Sequence, residues 1–111
     1  MNRNKDTSKE TLLPNRTQHL IHPFYNKRIV FTGALSSMAR SEAAKKVLAL
    51  GGILQGAVTK ETDFVILGNK HRGTSSKQAK AEQLISLGVD IQIILEDDFI
   101  WILSFVTHPS T

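Results

Sequence analysis

The chain contains no cysteine, which excludes disulfides and thiolate-bound zinc and fits a reducing compartment. No apolar run approaches the roughly 20 residues of a helical membrane span. Residues 1–14 are polar and lack the apolar centre of a secretory signal. There is no internal repeat. At 111 residues, with 41% hydrophobic content, the chain fills one core but not a second. The expectation is a soluble intracellular protein with no membrane partner.

Catalytic constellations are absent as well. Gly68-Asn-Lys-His-Arg-Gly-Thr-Ser75 follows a predicted strand and precedes a predicted helix, as a nucleotide-binding P-loop does. A P-loop needs Lys directly after its second Gly to reach the terminal phosphates, and Thr74 stands there. His71 and His108 have no nucleophile or acid to work with. His19 and His22 have metal-compatible spacing but no third ligand. No enzyme activity, cofactor or metal is expected.

What is present is a divided charge. The formal charge of +4 comes wholly from residues 1–28, where Arg3, Lys5, Lys9, Arg16, Lys27 and Arg28 face only Asp6 and Glu10. Residues 29–111 are balanced. A basic arm on a neutral domain suits a polyanionic partner, and it equally suits a solubilising tail. Residues 1–23 show no sustained period and read as a mostly disordered arm. Leu12, Leu13, Leu20 and Ile21 could form a helical turn, but Pro14 and Pro23 interrupt it.

Ordered structure is expected from Lys27. Residues 28–32 form a short apolar run closed by Gly33, a buried strand. Ala43, Ala44, Val47, Leu48 and Leu50 recur at helical spacing and stop at Gly51-Gly52. Ala39 is a poor cap for this helix, and Ser37 could cap an earlier start. Ile53 and Leu54 open a second strand and residues 63–67 a third. Ser75 or Ser76 caps a helix carrying Ala81, Leu84, Ile85 and Leu87, with Gly88 past its end. Residues 91–95 form a fourth strand. Glu96, Asp97 and Asp98 supply helix-start charge to a last helix over residues 99–105. The alternation predicts an α/β fold with a parallel sheet. Residues 55–62 are short for a parallel crossover, so spacing alone makes strands two and three a hairpin.

Several motifs in order carry a family resemblance: Phe31-Thr-Gly33, Ser37-Met-Ala-Arg-Ser-Glu-Ala43, Leu50-Gly-Gly52, Val58-Thr-Lys-Glu-Thr-Asp-Phe-Val-Ile-Leu-Gly68 and Ser76-Lys-Gln-Ala-Lys-Ala81. Together they resemble a BRCT domain over about residues 24–104. The subgroup resembled occurs in NAD-dependent DNA ligases and the large subunit of replication factor C. Ile94-Leu-Glu-Asp-Asp-Phe99 also resembles the module appended to bacterial DNA polymerase III epsilon-type exonucleases. The loop after Gly68 and the segment before Ile91 are longer than the ligase pattern, which favours the exonuclease as parent with ligase second. The resemblance implies a BRCT fold: a four-stranded parallel sheet, order 2-1-3-4, flanked by three helices. The domain spans 24–106 and residues 107–111 form a short tail. That strand order replaces the hairpin. Gln55 departs from the pattern where a basic residue is common, which lowers the expected DNA affinity. Phe99 fills the aromatic slot of the last helix and Trp101 follows two residues later, read as core with a partner surface as the alternative.

The strand order implies a crevice at the C-terminal end of the first strand, where connections depart to opposite sides. Thr32 and Gly33 sit there, and starts of helices face it, where free N–H groups attract anions. In phosphate-binding members the matching positions are a Ser/Thr-Gly pair and a Lys, here Lys77. Members that bind DNA 5′-phosphate ends add an Arg in the first helix, here Arg40. Lys45, Lys46, Lys60, Lys70, Arg72 and Lys80 read as solvated surface, although Lys70 and Arg72 flank the pocket. The implied function is a non-catalytic module of DNA replication and repair, binding 5′-phosphorylated DNA ends through Thr32, Gly33, Arg40 and Lys77. The alternatives are phosphopeptide binding and protein docking, with replication or repair proteins as partners. A bacterial, cytoplasmic, nucleoid-associated location is expected.

Overall fold

The structure is a computed structural model that describes residues 21–70 and 72–105. The arm up to residue 20 and the tail 107–111 lie outside the described residues, as do His19, His71 and His108. Two units are distinguished, one formed by the terminal segments and one spanning Phe24–Ser104. The second carries seven elements: β1 (Arg28–Thr32), α1 (Arg40–Ala49), β2 (Ile53–Leu54), β3 (Phe64–Leu67), α2 (Ser76–Ser86), β4 (Gln92–Leu95) and α3 (Glu96–Leu103).

The sheet runs β2-β1-β3-β4 and every pairing is parallel. β1 pairs along its whole described ladder with β3, from Ile29 opposite Phe64 to Thr32 opposite Leu67. On its other side it takes only the short β2, at Arg28 and Ile29. The hairpin read from the spacing of residues 55–62 is therefore corrected: β2 and β3 flank β1 from opposite sides. Their short link fits because it crosses a face of β1, with Val58 packed in the cluster of Val30, and carries no helix.

Alternation along β1 divides the core, since successive side chains point to opposite faces. Ile29 and Phe31 pack with Ala43 and Val47 of α1 and with Phe99 of α3. Val30 packs on the other face with Val65, Leu67 and the α2 residues Ala81 and Leu84. The apolar residues of β1 are buried from both sides, as a central parallel strand requires. Full burial of a Val, Ile or Phe contributes roughly 1.5–3 kcal/mol against exposure. Phe24, just ahead of β1, stacks with Phe99 at 5.8 Å and meets Phe64 edge-on at 5.2 Å.

Three local expectations are corrected. α1 begins at Arg40 with Ala39 as its uncapped N-terminal residue, and Ser37 does not cap it. α3 begins at Glu96 rather than at residue 99, so the acidic triplet forms its first turn. Trp101 is 64% exposed and lies outside the core, whose aromatic slot on α3 belongs to Phe99. The two residues differ by about 200° around a helix of 3.6 residues per turn, so burying one exposes the other.

Close packing at the C-terminal end of β1 rests on two glycines. Gly33 adopts φ 81°, a left-handed conformation that L side chains rarely take. A Cβ on Gly68 would meet the Ala34 carbonyl oxygen at 2.2 Å. The loops leaving β1 and β3 can touch only because Gly68 has no side chain.

Candidate functional site

Thr32, Gly33, Arg40 and Lys77 gather around the end of β1. Thr32 is buried, and its hydroxyl donates to Ser75 Oγ at 2.6 Å. The Arg40 guanidinium reaches back from the first turn of α1 and donates to the Gly33 carbonyl at 2.8 Å. It also lies 5.4 Å from the centroid of the Phe31 ring, within cation–π range. The Lys77 ammonium, from the first turn of α2, donates to the Phe31 carbonyl at 3.2 Å. Two cations from different helices thus hold carbonyls on either side of Thr32. Among the described residues neither has a carboxylate partner. Lys77 is half-buried. Its stem crosses from α2 to the sheet, which an ammonium on four carbons can do while keeping its charge near water.

Ser75 was expected only as a cap, and it does cap α2, accepting from the Gln78 amide at 3.1 Å. The structure gives it a second task. Its oxygen also takes the Thr32 proton, and a hydroxyl that accepts two hydrogen bonds still has its own proton to donate. Lys77 also borders a cleft of about 380 Å³ with Gly56, Ala57, Val58, Ser76 and Lys80. Gln55 turns inward, accepting from the Thr62 hydroxyl at 2.7 Å. Lys70 and Arg72 are exposed in the loop between β3 and α2.

On the opposite flank, Glu96 is fully buried. Its carboxylate accepts from the Ser36 amide at 3.0 Å, the Ser37 amide at 2.8 Å and the Asn69 amide at 2.7 Å, and from the hydroxyls of Ser36 and Ser37. Burial pushes this carboxyl up, but the hydrogen bonds outweigh it and hold the pKa down at about 2. A carboxylate of the chain therefore occupies the amides of the loop before α1. The anion-attracting character expected of that loop is already satisfied from within, and the open positive features are Arg40, Lys77 and the start of α2. Helix-start charge does not account for Glu96, which ties three loop amides to α3. The only hint in the sequence was an acidic residue directly after an apolar strand.

Among the described residues no helix is long and apolar enough to cross a membrane. No three His, Asp or Glu side chains there are grouped to hold a metal.

Comparison with known proteins points to a family. The model of the BRCA1 C Terminus (BRCT) domain matches residues 19–92. The DNA ligase of Legionella pneumophila strain Paris is 43% identical over 84 residues, 75% of this chain and 11% of the ligase. That of Lysinibacillus sphaericus strain C3-41 is 42% identical over 85 residues, 77% of this chain and 12% of the ligase. The DNA ligase of Ehrlichia ruminantium strain Welgevonden is 39% identical over 92 residues, 83% of this chain and 12% of the ligase. The chain thus spans about an eighth or less of the length of these relatives. Among solved structures, the first BRCT domain of the DNA-repair protein XRCC1 is 20% identical, with a TM-score of 0.46 over 91% of this chain and 70% of that one. The matched family model and the parallel sheet in the order β2-β1-β3-β4 lead to one assignment: the chain belongs to the BRCT domain family.

Proposed function

We propose that the crevice at the end of β1 binds a phosphate group, and that its ligand is the 5′-phosphorylated end of DNA. One observation carries this reading. Arg40 and Lys77, from two helices, converge on the carbonyls of Gly33 and Phe31 with no carboxylate partner among the described residues. A neutral carbonyl is a modest partner for a cation, whereas a phosphate adds opposite charge and several acceptor oxygens. The ligand therefore displaces weak internal contacts, not ion pairs. Gly33 allows backbone approach, and Ser75 presents a hydroxyl at the start of α2. Similarity to the ligases favours a ligase-type parent over the exonuclease-type parent, with the domain acting as the DNA-end holder of a catalytic protein.

Titration of labelled duplex with and without a 5′-phosphate, at several salt concentrations, tests the reading. Preference for the phosphorylated end is expected. Equal affinity for both ends refutes the end-binding function, and preference for a phosphoserine peptide over phosphorylated DNA transfers the pocket to a protein partner.

Two further outcomes are expected. Removal of residues 1–20 takes away Arg3, Lys5, Lys9 and Arg16. Each lost backbone contact should flatten the log–log salt dependence by about 0.9. An unchanged slope identifies the arm as a passive tail. Ser75→Ala removes the cap of α2 and the acceptor of Thr32 together. Thermal or urea unfolding should register a loss of about 0.5–2 kcal/mol, accompanied by weaker binding of the phosphorylated end.

A further inference from the structure

The turn that leads into β1 lies at the opposite end of that strand from the phosphate crevice, and it carries an exposed aromatic ring. Tyr25 is 51% exposed. Its backbone is held on both sides. The Asn26 amide donates to the Gly51 carbonyl at 2.8 Å, and the Lys27 amide donates to the Phe24 carbonyl at 3.1 Å. The ring rests on Gly51, where an added Cβ would collide with Tyr25 Cδ1 and stand 2.9 Å from Cε1. An aromatic ring backed by the protein and open to water on its other side is a stacking surface for a nucleobase, because every base has a π-face.

The charges between the crevice and this ring decide which partner fits. α1 runs from Arg40, at the crevice, back to the turn at Gly51 on which Tyr25 rests. Its exposed Ser41, Lys45 and Leu48 follow one another at spacings of four and three residues and so share a face. Lys27 is exposed too, and the alternation of β1 places it on the α1 side with Ile29 and Phe31. Among the described residues Lys27 and Lys45 form no ion pair, and Glu42, the one acid of α1, is engaged by Lys46 at 3.9 Å. Arg40, Lys45 and Lys27 thus mark a basic line from the crevice to the ring. A nucleic-acid strand matches both features, with phosphates for the cations and a base for the ring.

We propose that Tyr25 stacks on an unpaired base of the phosphorylated strand, so that the preferred ligand is a 5′-phosphorylated single-stranded overhang lying along α1. This rests on the phosphate reading above: the crevice holds the terminal phosphate, and Lys45 and Lys27 meet phosphates that follow it. The ten residues of α1 are ~15 Å long. A strand advances about 3.4 Å per nucleotide when stacked and roughly twice that when extended, so about two to four nucleotides cover the distance. Within a duplex both faces of each base are covered by its neighbours, and only an unpaired base can lie on a side chain.

Fluorescence anisotropy of the full chain tests this with 5′-phosphorylated duplexes ending bluntly, in a one-nucleotide 5′ overhang or in a six-nucleotide 5′ overhang. The long overhang should bind at least about fivefold tighter than the blunt end, the low end for one base–aromatic stack. The short overhang, which cannot reach Tyr25, should gain nothing. Tyr25→Ala should abolish the gain and leave blunt-end affinity unchanged, which also verifies its fold, while Tyr25→Phe should retain the gain. Lys45→Ala should flatten the log–log salt dependence on the long overhang by about 0.7. A photoreactive 5-iodouracil at the third overhang position should crosslink to Tyr25. Equal affinity for blunt and long-overhang ends overturns the proposal, as does a gain that survives Tyr25→Ala. A gain that vanishes only on removal of residues 1–20 overturns it as well, because the arm would then hold the strand. Hydroxyl-ended overhangs bound as tightly as phosphorylated ones would refute the crevice alone, and a loss in Tyr25→Ala on those same ends would still establish the stacking surface.

Discussion

Lys77→Ala and Arg40→Ala should each weaken binding of 5′-phosphorylated duplex by about tenfold to a hundredfold, and binding of the hydroxyl-ended duplex far less. A hydrogen bond to a charged group contributes about 1.5–3 kcal/mol, and 1.4 kcal/mol is a factor of ten. Both ammonium and guanidinium already stand beside Thr32, so a ligand does not have to recruit them from solvent. The two substitutions differ in their side effects. Arg40 is exposed, and its loss removes a contact with Phe31 without opening the core. Lys77 is half-buried, so Lys77→Ala also removes packing, and its melting temperature must be measured beside its affinity. Thr32→Val keeps the volume and deletes the proton donated to Ser75, so it should weaken binding in the same direction. The pH profile supplies an independent check. A phosphate monoester takes its second charge near pH 6, so the preference for the phosphorylated end should shrink as pH falls below about 6. Substitutions that weaken both duplexes equally, in fluorescence anisotropy, would show that these cations serve only the general backbone.

Much of this arrangement was legible before any coordinates, for identifiable reasons. The buried strand over residues 28–32 was apparent because the apolar run Ile29-Val30-Phe31 is closed by Thr32 and a glycine, and a central parallel strand is apolar on both faces. Ser75 and Gly88 bounded α2 by the ordinary chemistry of caps and left-handed turns, and both act as expected. Strand order was a different matter. Local spacing described a short link between β2 and β3, and whether β1 lies between them is a non-local fact, which only the resemblance supplied. The positions of Arg40 and Lys77 in their helices followed from the same motifs. Their contacts with carbonyls, and the partial burial of Lys77, depend on how far the stems reach over the sheet.

The misreadings around α3 share one physical origin. Glu96, Asp97 and Asp98 look alike in sequence, three acids at the start of a helix. α3 begins one residue beyond β4, so its first residue is turned inward while the next two face water. That same choice of rotation buries Phe99 and exposes Trp101. A shift of three residues in the helix start, small as a boundary error, reversed the reading of two side chains. It also hid the function of Ser37, whose amide and hydroxyl serve Glu96 instead of capping α1.

Glu96→Gln should therefore destabilise the domain by about 2–4 kcal/mol, the range for leaving buried donors unsatisfied and losing bonds to a charged acceptor. The amide keeps the volume, but one acceptor oxygen becomes a donor and meets amides and hydroxyls that are themselves donors. The effect has a definite pH dependence. Glu96 has a pKa of about 2 in the folded protein, below its ordinary 4.5, so the folded state binds the proton less readily than the unfolded chain. A depressed carboxyl stabilises the fold above its unfolded pKa, and that stabilisation disappears as pH falls through the folded value. From pH 7 to about 5 the difference in melting temperature between wild type and Glu96→Gln should be constant. Between about pH 4.5 and 2 the wild type should lose stability faster, and the two curves should approach each other. Binding ought to follow, since Glu96 fixes Ser36, Ser37 and Asn69 in the loops that flank Gly33. Phosphorylated-end affinity of the variant should drop even at temperatures where it is fully folded. Parallel melting curves down to pH 2 would mean that the carboxylate contributes shape rather than charge. The loops around Gly33 would then owe their order to the packing of Gly68 against Ala34.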